Sequence, residues 1–373
     1  MSSTVTPPLF QRKRNSQDKN NNNNATSASR LPKRTQQRSI TTLSSIRWSI
    51  ALTLAALVLL AGRIWLIGGV NNHTRDLCGH VVLITGSNTG LGFEMARELL
   101  KMDATVILVG RDKARVNAAA ERLAPVVAAS KCARLDASLL LDLASLASVR
   151  TFAAAFLERY KRLDILCLNA GVMKVPRGKT VDGHEITLQV NHLGHHLLTH
   201  LLAPVLAKTA AMTGDARVLS VSSAGHMWGD LSGEALFDLS FERRADVQQG
   251  FAPYTQSKLC NVLFASELAQ RAPQGVWSFS LHPGAVQTEI FRNIPVFAVA
   301  EPYLAPLLSY FFKTPLQGAQ TQIYLATAPL AQVKPQNGKY FGDCAVMNNI
   351  NPQAKNVTLA NQLWLISNDL VGI

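Results

Sequence analysis

The sequence predicts an α/β fold, a single doubly wound parallel sheet with helices on both faces. Three observations carry this prediction. From Cys78 onward, short β-branched or apolar runs alternate with longer helical patterns. The first run leads directly into a glycine-rich turn and an amphipathic helix. No internal repeat or second core-sized block interrupts the alternation.

The chain begins elsewhere in character. Through Arg47 there are nine Lys or Arg against one acid, Asp18, with an asparagine run from Asn20 to Asn24. Such a stretch has too little apolar surface to offset its ordering entropy, so residues 1–47 are expected to be a basic disordered tail. The net charge of +13 divides into +8 up to Arg47, +1 from Arg63 and +4 from residue 71 onward, where 27 basic residues face 23 acidic ones. Nucleic-acid binding needs a basic face on the folded domain, and here the charge sits in the tail; no nucleic-acid partner is expected.

From Trp48 to Val70 the sequence turns apolar, broken only by Arg63. Spanning takes about 20 apolar residues, so Arg63 is expected to snorkel toward an interface. The segment 48–70 reads as one uncleaved membrane anchor, because 47 preceding residues are too many for an ordinary signal peptide. A buried core helix is the bland alternative. Positive-inside logic would keep the tail cytosolic and send the domain across, and a hairpin or interfacial anchor is the other arrangement. The membrane expected is that of the endoplasmic reticulum or another organelle. The five cysteines, Cys78, Cys132, Cys167, Cys260 and Cys344, are scattered and form no C-x-x-C pair, which predicts neither a disulfide framework nor a thiolate metal site and fits a reducing compartment.

The folded domain is assigned to residues 76–373. Its expected strands are Val81–Thr85, Thr105–Val109, Leu139–Leu143, Ile165–Leu168, Arg217–Val221 and Trp277–Leu281, with Tyr340–Phe341 as a candidate last strand. Helical patterns lie between them at Leu91–Lys101, Lys113–Val126, Ser145–Tyr160, Ile186–Ala207, Tyr254–Gln270 and Pro315–Thr327.

The first strand opens into Thr85, Gly86, Ser87, Asn88, Thr89, Gly90, Leu91 and Gly92. Glycines are needed where the backbone turns tightly against a pyrophosphate, and the following helix N-terminus offers amide donors to it. A glycine-rich loop alone is a weak signal. Placed between a strand and a helix it marks a Rossmann-type dinucleotide site. Sites that prefer NAD carry an acid near the end of the second strand; here Gly110 stands in that place and Arg111 follows, with a guanidinium suited to a phosphate. NADP(H) is therefore the expected cofactor, and Asp112 is expected to cap the next helix.

Tyr254 and Lys258 are four apart at the start of a helix and share a face. A phenol with a reference pKa near 10 transfers protons poorly near neutrality, and a neighbouring ammonium is expected to lower it. The strand Arg217–Val221 delivers Ser222 and Ser223 to the C-terminal edge of the sheet, where Ser223 could donate to a substrate oxygen and Ser222 could serve as a turn or cap.

Together these motifs resemble the short-chain dehydrogenase/reductase family, from about Gly79 to the C-terminus. The pattern comprises Thr85-Gly86-x-x-x-Gly90-x-Gly92, then Asn169, Ala170 and Gly171, then Asn191, Ser223, Tyr254 with Lys258, and His282-Pro283-Gly284, in the family's order. The resemblance implies that Asn169 supports the central strands near the cofactor and that Asp142, or alternatively Asp136, holds the adenine. It also implies that Asn191 completes a catalytic tetrad through an ordered water, and that Pro283, Gly284 and Thr288 meet the nicotinamide. The runs Val190 to His195, Lys313 to Thr321 and Phe341 to Cys344 look most like the retinol dehydrogenase group. Oxidoreductases carrying WW domains and protochlorophyllide oxidoreductases share parts of this pattern. Two departures are the long stretch from Ala128 to Leu141 before Asp142 and the 31 positions between Ser223 and Tyr254.

The implied activity is hydride transfer between nicotinamide and the carbonyl or alcohol of an apolar small molecule. The segment Ile290–Phe312, rich in Phe, Leu, Val and Tyr, is expected to fold over that substrate; a core helix or a membrane patch is its bland reading. His192, His195, His196 and His200 have zinc-like spacing, but no acid or cysteine joins them and no metal is assigned. A homo-oligomer is left open. The rival readings are a catalytically silent cofactor-fold interaction protein, against which Ser223, Tyr254 and Lys258 stand intact, and a nucleotide-sugar epimerase, which usually spaces its glycines more tightly.

Overall fold

The computed structural model describes residues 34–173, 178–239, 251–286 and 310–373. The elements run α1 (Arg34–Ile67), β1 (Val81–Thr85), α2 (Gly90–Lys101), β2 (Thr105–Val109), α3 (Lys113–Ala128), β3 (Arg134–Asp136), α4 (Leu146–Arg159) and β4 (Ile165–Leu168). A helical turn Ile186–Leu188 and a π turn Gln189–Leu193 lead into α5 (Gly194–Thr213), followed by β5 (Ala216–Val221), α6 (Ala252–Arg271) and β6 (Val276–Leu281). The chain ends with α7 (Pro315–Thr327), β7 (Tyr340–Gly342), β8 (Ala345–Val346) and α8 (Val357–Val371).

All eight strands form one sheet in the order β3-β2-β1-β4-β5-β6-β7-β8. Every pairing is parallel except β7 with β8. Central parallel strands are covered on both faces, which is why β1, β2 and β4 read as unbroken apolar runs. Alternate side chains then serve two cores. Leu83, Ile107 and Leu166 face the side of α4, α5, α6 and α8, while Val82, Ile84, Val106 and Leu108 face α2, α3 and α7.

The third strand departs from expectation. The alternating leucines Leu139, Leu141 and Leu143 are buried, but they lie in an extended stretch beyond the ladder, and the edge strand is the more polar Arg134–Asp136, registered on Thr105–Ile107. Apolar periodicity selects burial, and an edge strand needs little of it. The helix expected to end at Ala207 runs to Thr213, past Pro204, and stops at Gly214 in the left-handed region (φ 72°). The terminal α8 was missed in the sequence; the four-residue spacing of Leu359, Leu363, Ser367 and Val371, all buried, was the available signal.

Two compact units are distinguished, Met1–Val58 and Leu59–Ile373. In the first, α1 begins at Arg34, inside the stretch expected to be disordered; residues 34–47 lack Gly and Pro, so nothing halts a helix continuing back from the apolar run. Ile46–Arg63, 18 residues with a mean hydropathy of 1.5, is long and apolar enough to cross a membrane.

In the second unit, the end of α1 and the chain after it are part of the folded body. Arg63 Nη1 donates to the carbonyls of Tyr310 (2.8 Å) and Phe312 (3.1 Å), and the Tyr310 hydroxyl donates to the Leu59 carbonyl. Two main-chain carbonyls thus hold the Arg63 guanidinium, a tertiary contact that the snorkelling expected of it did not anticipate. Asn71 donates through its main-chain N to Gln320 Oε1, and Arg75 pairs with Asp215, which also takes both arms of the buried Arg217. Removing Asp215 would leave the buried Arg217 guanidinium without its carboxylate, at a cost of about 3–5 kcal/mol, whereas without Arg217 the Asp215 carboxylate keeps Arg75. A second correction concerns the cysteines. Cys78 and Cys132, 54 residues apart, are joined as a disulfide, because the chain entering β1 and the chain entering β3 meet at one edge of the sheet.

Candidate active site

The C-terminal ends of the strands surround a cavity of about 920 Å³. Its floor begins at Thr85, where the chain reverses into α2. Gly86 and Gly90 have φ of 63° and 60°, a region closed to most side chains, and a Cβ on Gly86 would stand 3.0 Å from Ala170. Thr89, the N-cap of α2, makes no side-chain cap bond, so the first amides of the helix keep their donors for an anion. These features fit a dinucleotide pyrophosphate. Asn88, Thr89, Gly90 and Leu91 line the cavity with Gly86.

Ser87 and Gly92 act from behind the cavity wall. Ser87 Oγ donates to the Ile84 carbonyl at 2.8 Å and accepts from Val109 N at 2.9 Å, tying the turn to β2. Gly92 packs helix against turn, since a Cβ there would lie 2.6 Å from Asn169 Nδ2 and 2.7 Å from the Gly86 carbonyl. Asn169 Nδ2 donates to the Thr85 carbonyl at 2.8 Å, and Asn169, Ala170 and Gly171 all line the cavity.

At the adenosine end, Gly110 sits in tight surroundings: a Cβ would stand 3.0 Å from Asn88 Oδ1 and 3.1 Å from Val116 Cγ2, so an acid there would have to push these side chains aside. Arg111 is exposed on the cavity lining and has no ion-pair partner among the described residues. Asp112 caps α3 as expected, accepting from Arg115 N at 3.2 Å. Arg115, missed in the sequence, lines the cavity too; its spacing of four from Arg111 was the available signal. Between the two adenine candidates the structure brings Asp142 to the cavity and leaves Asp136 away from it, bonded to Tyr160 Oη at 2.6 Å and to Ser138.

The opposite wall carries Ser223, Tyr254 and Lys258. Tyr254 lies in the first turn of α6, and its phenol is hydrogen-bonded to the Ser223 hydroxyl. Ser223 is also the N-cap of a 3₁₀ turn, Oγ accepting from Gly225 N at 3.0 Å, so the capping expected of Ser222 belongs to Ser223. Ser222 Oγ instead donates to the Lys258 carbonyl at 2.7 Å and fixes β5 to α6. Lys258 Nζ, buried, donates to the Val221 carbonyl at 2.9 Å and lies 5.6 Å from the centre of the Tyr254 ring.

The electrostatics differ from those expected. Burial raises the Tyr254 phenol above its ordinary pKa, opposed by the Ser223 hydrogen bond. Burial also brings Lys258 down to about 8. Desolvation of both partners therefore outweighs the depression of Tyr254 anticipated from the i, i+4 spacing.

Asn191 is fully buried and does not line the cavity. Its Oδ1 accepts from Val172 N at 2.8 Å, and its Nδ2 donates to the Val172 carbonyl and to Ser257 Oγ. Gly171 closes the gap, since a Cβ there would be 3.3 Å from both Asn191 Oδ1 and Lys258 Nζ. Pro283 and Gly284 line the cavity with His282 of the same motif, and so do Trp228 and Phe251, which sequence reasoning did not single out. Thr288 and residues 287–309, most of the expected substrate cover, lie outside the described residues. The spaced histidines are engaged separately. His192 Nε2 meets Ser367 Oγ at 2.9 Å and His196 Nε2 meets Asn368 Oδ1 at 2.7 Å, both on α8.

Residues 80–231 match the family model described as short chain dehydrogenase. Mouse retinol dehydrogenase 14 is 40% identical over 337 residues, spanning 86% of this chain and 97% of its own. Human retinol dehydrogenase 12 is 41% identical over 307 residues, 82% of this chain and 90% of its own. Among solved structures, an uncharacterized protein from Mycobacterium paratuberculosis superposes with a TM-score of 0.60 at 31% identity, covering 81% of this chain and 96% of its own. A gluconate 5-dehydrogenase from Burkholderia cenocepacia J2315, solved with NADP and tartrate, shares the fold with a TM-score of 0.52 at 21% identity, over 71% of this chain and 94% of its own.

Proposed function

This chain belongs to the short-chain dehydrogenase/reductase family, and on that footing we propose that it is an NADP(H)-dependent oxidoreductase reducing the carbonyl of an apolar small molecule in the cell. The convergence of Ser223, Tyr254 and Lys258 on the cavity wall facing the glycine turn carries the reading. A retinoid, a sterol-like ketone or a lipid aldehyde is the substrate class. The apolar lining favours it, with Trp228 and Phe251 exposed, and so do the retinol dehydrogenases among the relatives.

Bound reduced nicotinamide supplies the hydride to the carbonyl carbon. Ser223 donates to the carbonyl oxygen and fixes its direction, and Tyr254 gives that oxygen its proton. Lys258 holds a positive charge beside the phenol and offers donors to the nicotinamide ribose. Asn191 braces the turn after Gly171 and the helix of Tyr254, and connects Lys258 to solvent through water. Arg111 receives the 2′-phosphate, Asp142 the adenine, and Pro283, Gly284 and Thr288 the nicotinamide. Full-length protein in detergent, given NADPH and a series of carbonyls, should consume NADPH with long apolar aldehydes or ketones. Consumption with none of them, and no reverse reaction with their alcohols, rules the reading out. The full chain is the appropriate material because residues 59–75 pack on the folded body.

A pH dependence follows from Lys258. Its pKa of about 8 leaves it cationic below that pH, where the raised Tyr254 phenol also keeps its proton. The rate of reduction is expected to fall as pH rises through about 8, by titration of Lys258. A kcat profile flat from about pH 7 to about pH 9 would contradict the assignment.

The apolar helix supports a membrane-anchored protein, and the endoplasmic reticulum or another organelle membrane is the location proposed. The protein should pellet with membranes and stay there in about 1 M salt, because burial of the stretch Ile46–Arg63 is apolar. Release by salt alone would leave the basic tail as the attachment.

A further inference from the structure

One histidine of the spaced cluster turns away from its neighbours and toward the site. His195, 3% exposed, has Nε2 2.9 Å from Thr85 Oγ1 and Nδ1 3.2 Å from the Asn191 carbonyl. This bonding selects a tautomer. A carbonyl only accepts, so Nδ1 carries the hydrogen, and Nε2 receives the Thr85 hydroxyl hydrogen. Thr85 Oγ1 accepts in turn from the main-chain nitrogens of Asn169 (2.9 Å) and Ala170 (3.0 Å), which belong to the cavity floor. At the other end, Asn191 lies in the π turn, where the regular helical ladder is interrupted, and its side chain donates to Ser257 Oγ at 2.9 Å. Ser257 Oγ donates to the Tyr254 carbonyl at 2.8 Å. A continuous hydrogen-bonded path thus runs from the end of β1 to the backbone of the proton donor, with the imidazole at its middle.

We propose that His195 is a positioning residue, a clamp between the Thr85 hydroxyl and the Asn191 carbonyl that holds the cofactor floor and the Tyr254 helix at a fixed separation. The proposal rests on the oxidoreductase reading above. Burial keeps the imidazole pKa down at about 3, and the nearby Lys258 charge acts in the same direction, so the clamp persists across the working pH range. Hydride transfer is sensitive to sub-ångström placement, so the clamp should register in kcat more than in nucleotide binding.

The test compares volume with hydrogen bonding in the full chain. His195→Phe keeps an aromatic ring and removes both bonds; kcat should fall about 10-fold with the NADPH Kd within about 3-fold. His195→Asn places an amide donor where Nδ1 was, within reach of the Asn191 carbonyl, and loses the bond to Thr85, so it should recover kcat only in part, between His195→Phe and the wild type, although its smaller side chain lowers Tm. Equal kcat deficits in both variants, in step with Tm, assign His195 to packing and overturn the clamp. Should the Phe variant not accumulate, His195→Leu, which keeps bulk and neither bond, should be slower than both His195→Asn and His195→Gln, which each keep one; equal rates in all three overturn the proposal. A readout free of turnover is ¹⁵N histidine NMR of the full chain in detergent, where His195 should stay neutral and Nδ1-protonated from about pH 5 to about pH 9. An Nε2-protonated or titrating His195 removes the clamp. A wild type that turns over no carbonyl or alcohol sinks the oxidoreductase reading separately, and the tautomer still decides the clamp.

Discussion

Tyr254→Phe lowers turnover by at least about 100-fold, the usual worth of a positioned proton donor, while NADPH binding stays near its wild-type value. The substitution removes one oxygen. Tyr254 stands in the first turn of α6, and its hydroxyl bonds the Ser223 hydroxyl at the cavity wall. Phenylalanine fills the same space, so Ser223 and Lys258 stay in place and the carbonyl oxygen loses its acid. The raised pKa of the phenol keeps its proton in place at neutral pH, where reduction uses it. Near-normal turnover in the purified variant, or loss of nucleotide binding in proportion to activity, would remove Tyr254 from the chemistry. Titration by NADPH fluorescence beside steady-state rates distinguishes the two.

What could be read from the sequence depended on how local its cause was. The turn from Thr85 to Gly92 and the Tyr254–Lys258 face are fixed by a few adjacent residues, and their cavity positions follow from where strands end. The third strand was misplaced because Leu139, Leu141 and Leu143 alternate like a strand, yet are buried outside the ladder, Leu141 and Leu143 on the cavity lining. The long stretch from Ala128 to Leu141 left Asp136 and Asp142 as alternatives, and what tells their positions apart is tertiary: Asp136 pairs on β2 while Asp142 lines the cavity. Desolvation around Lys258 and Tyr254 comes from β5, α6 and the loops together, so no spacing rule anticipates its dominance over their mutual charge effect. The pairing of Cys78 with Cys132 likewise depends on the parallel register of β1, β2 and β3, and the attachment of Arg63 to residues more than 240 positions away depends on tertiary packing.

Arg111→Ala is expected to weaken NADPH binding by about 30-fold and NADH binding by less than about 3-fold, because only the former carries a 2′-phosphate. A charge-assisted guanidinium–phosphate contact is worth about 2 kcal/mol net at an accessible site, which sets the size of the effect. Gly110 adds a steric reason for the preference. Where an acid would accept the ribose hydroxyls of NADH, a Cβ would already press on Asn88 and Val116, so this cavity has little to gain from the unphosphorylated cofactor. Arg115 lines the same end of the cavity and should retain part of the discrimination. The single variant should therefore still prefer NADPH slightly, and Arg111→Ala with Arg115→Ala should lose the preference. Competition between the two nucleotides, measured at two ionic strengths, checks the cause, since a phosphate contact weakens with salt and a ribose contact does not. Equal losses for NADPH and NADH in Arg111→Ala would show that the guanidinium supports the loop and does not select the cofactor.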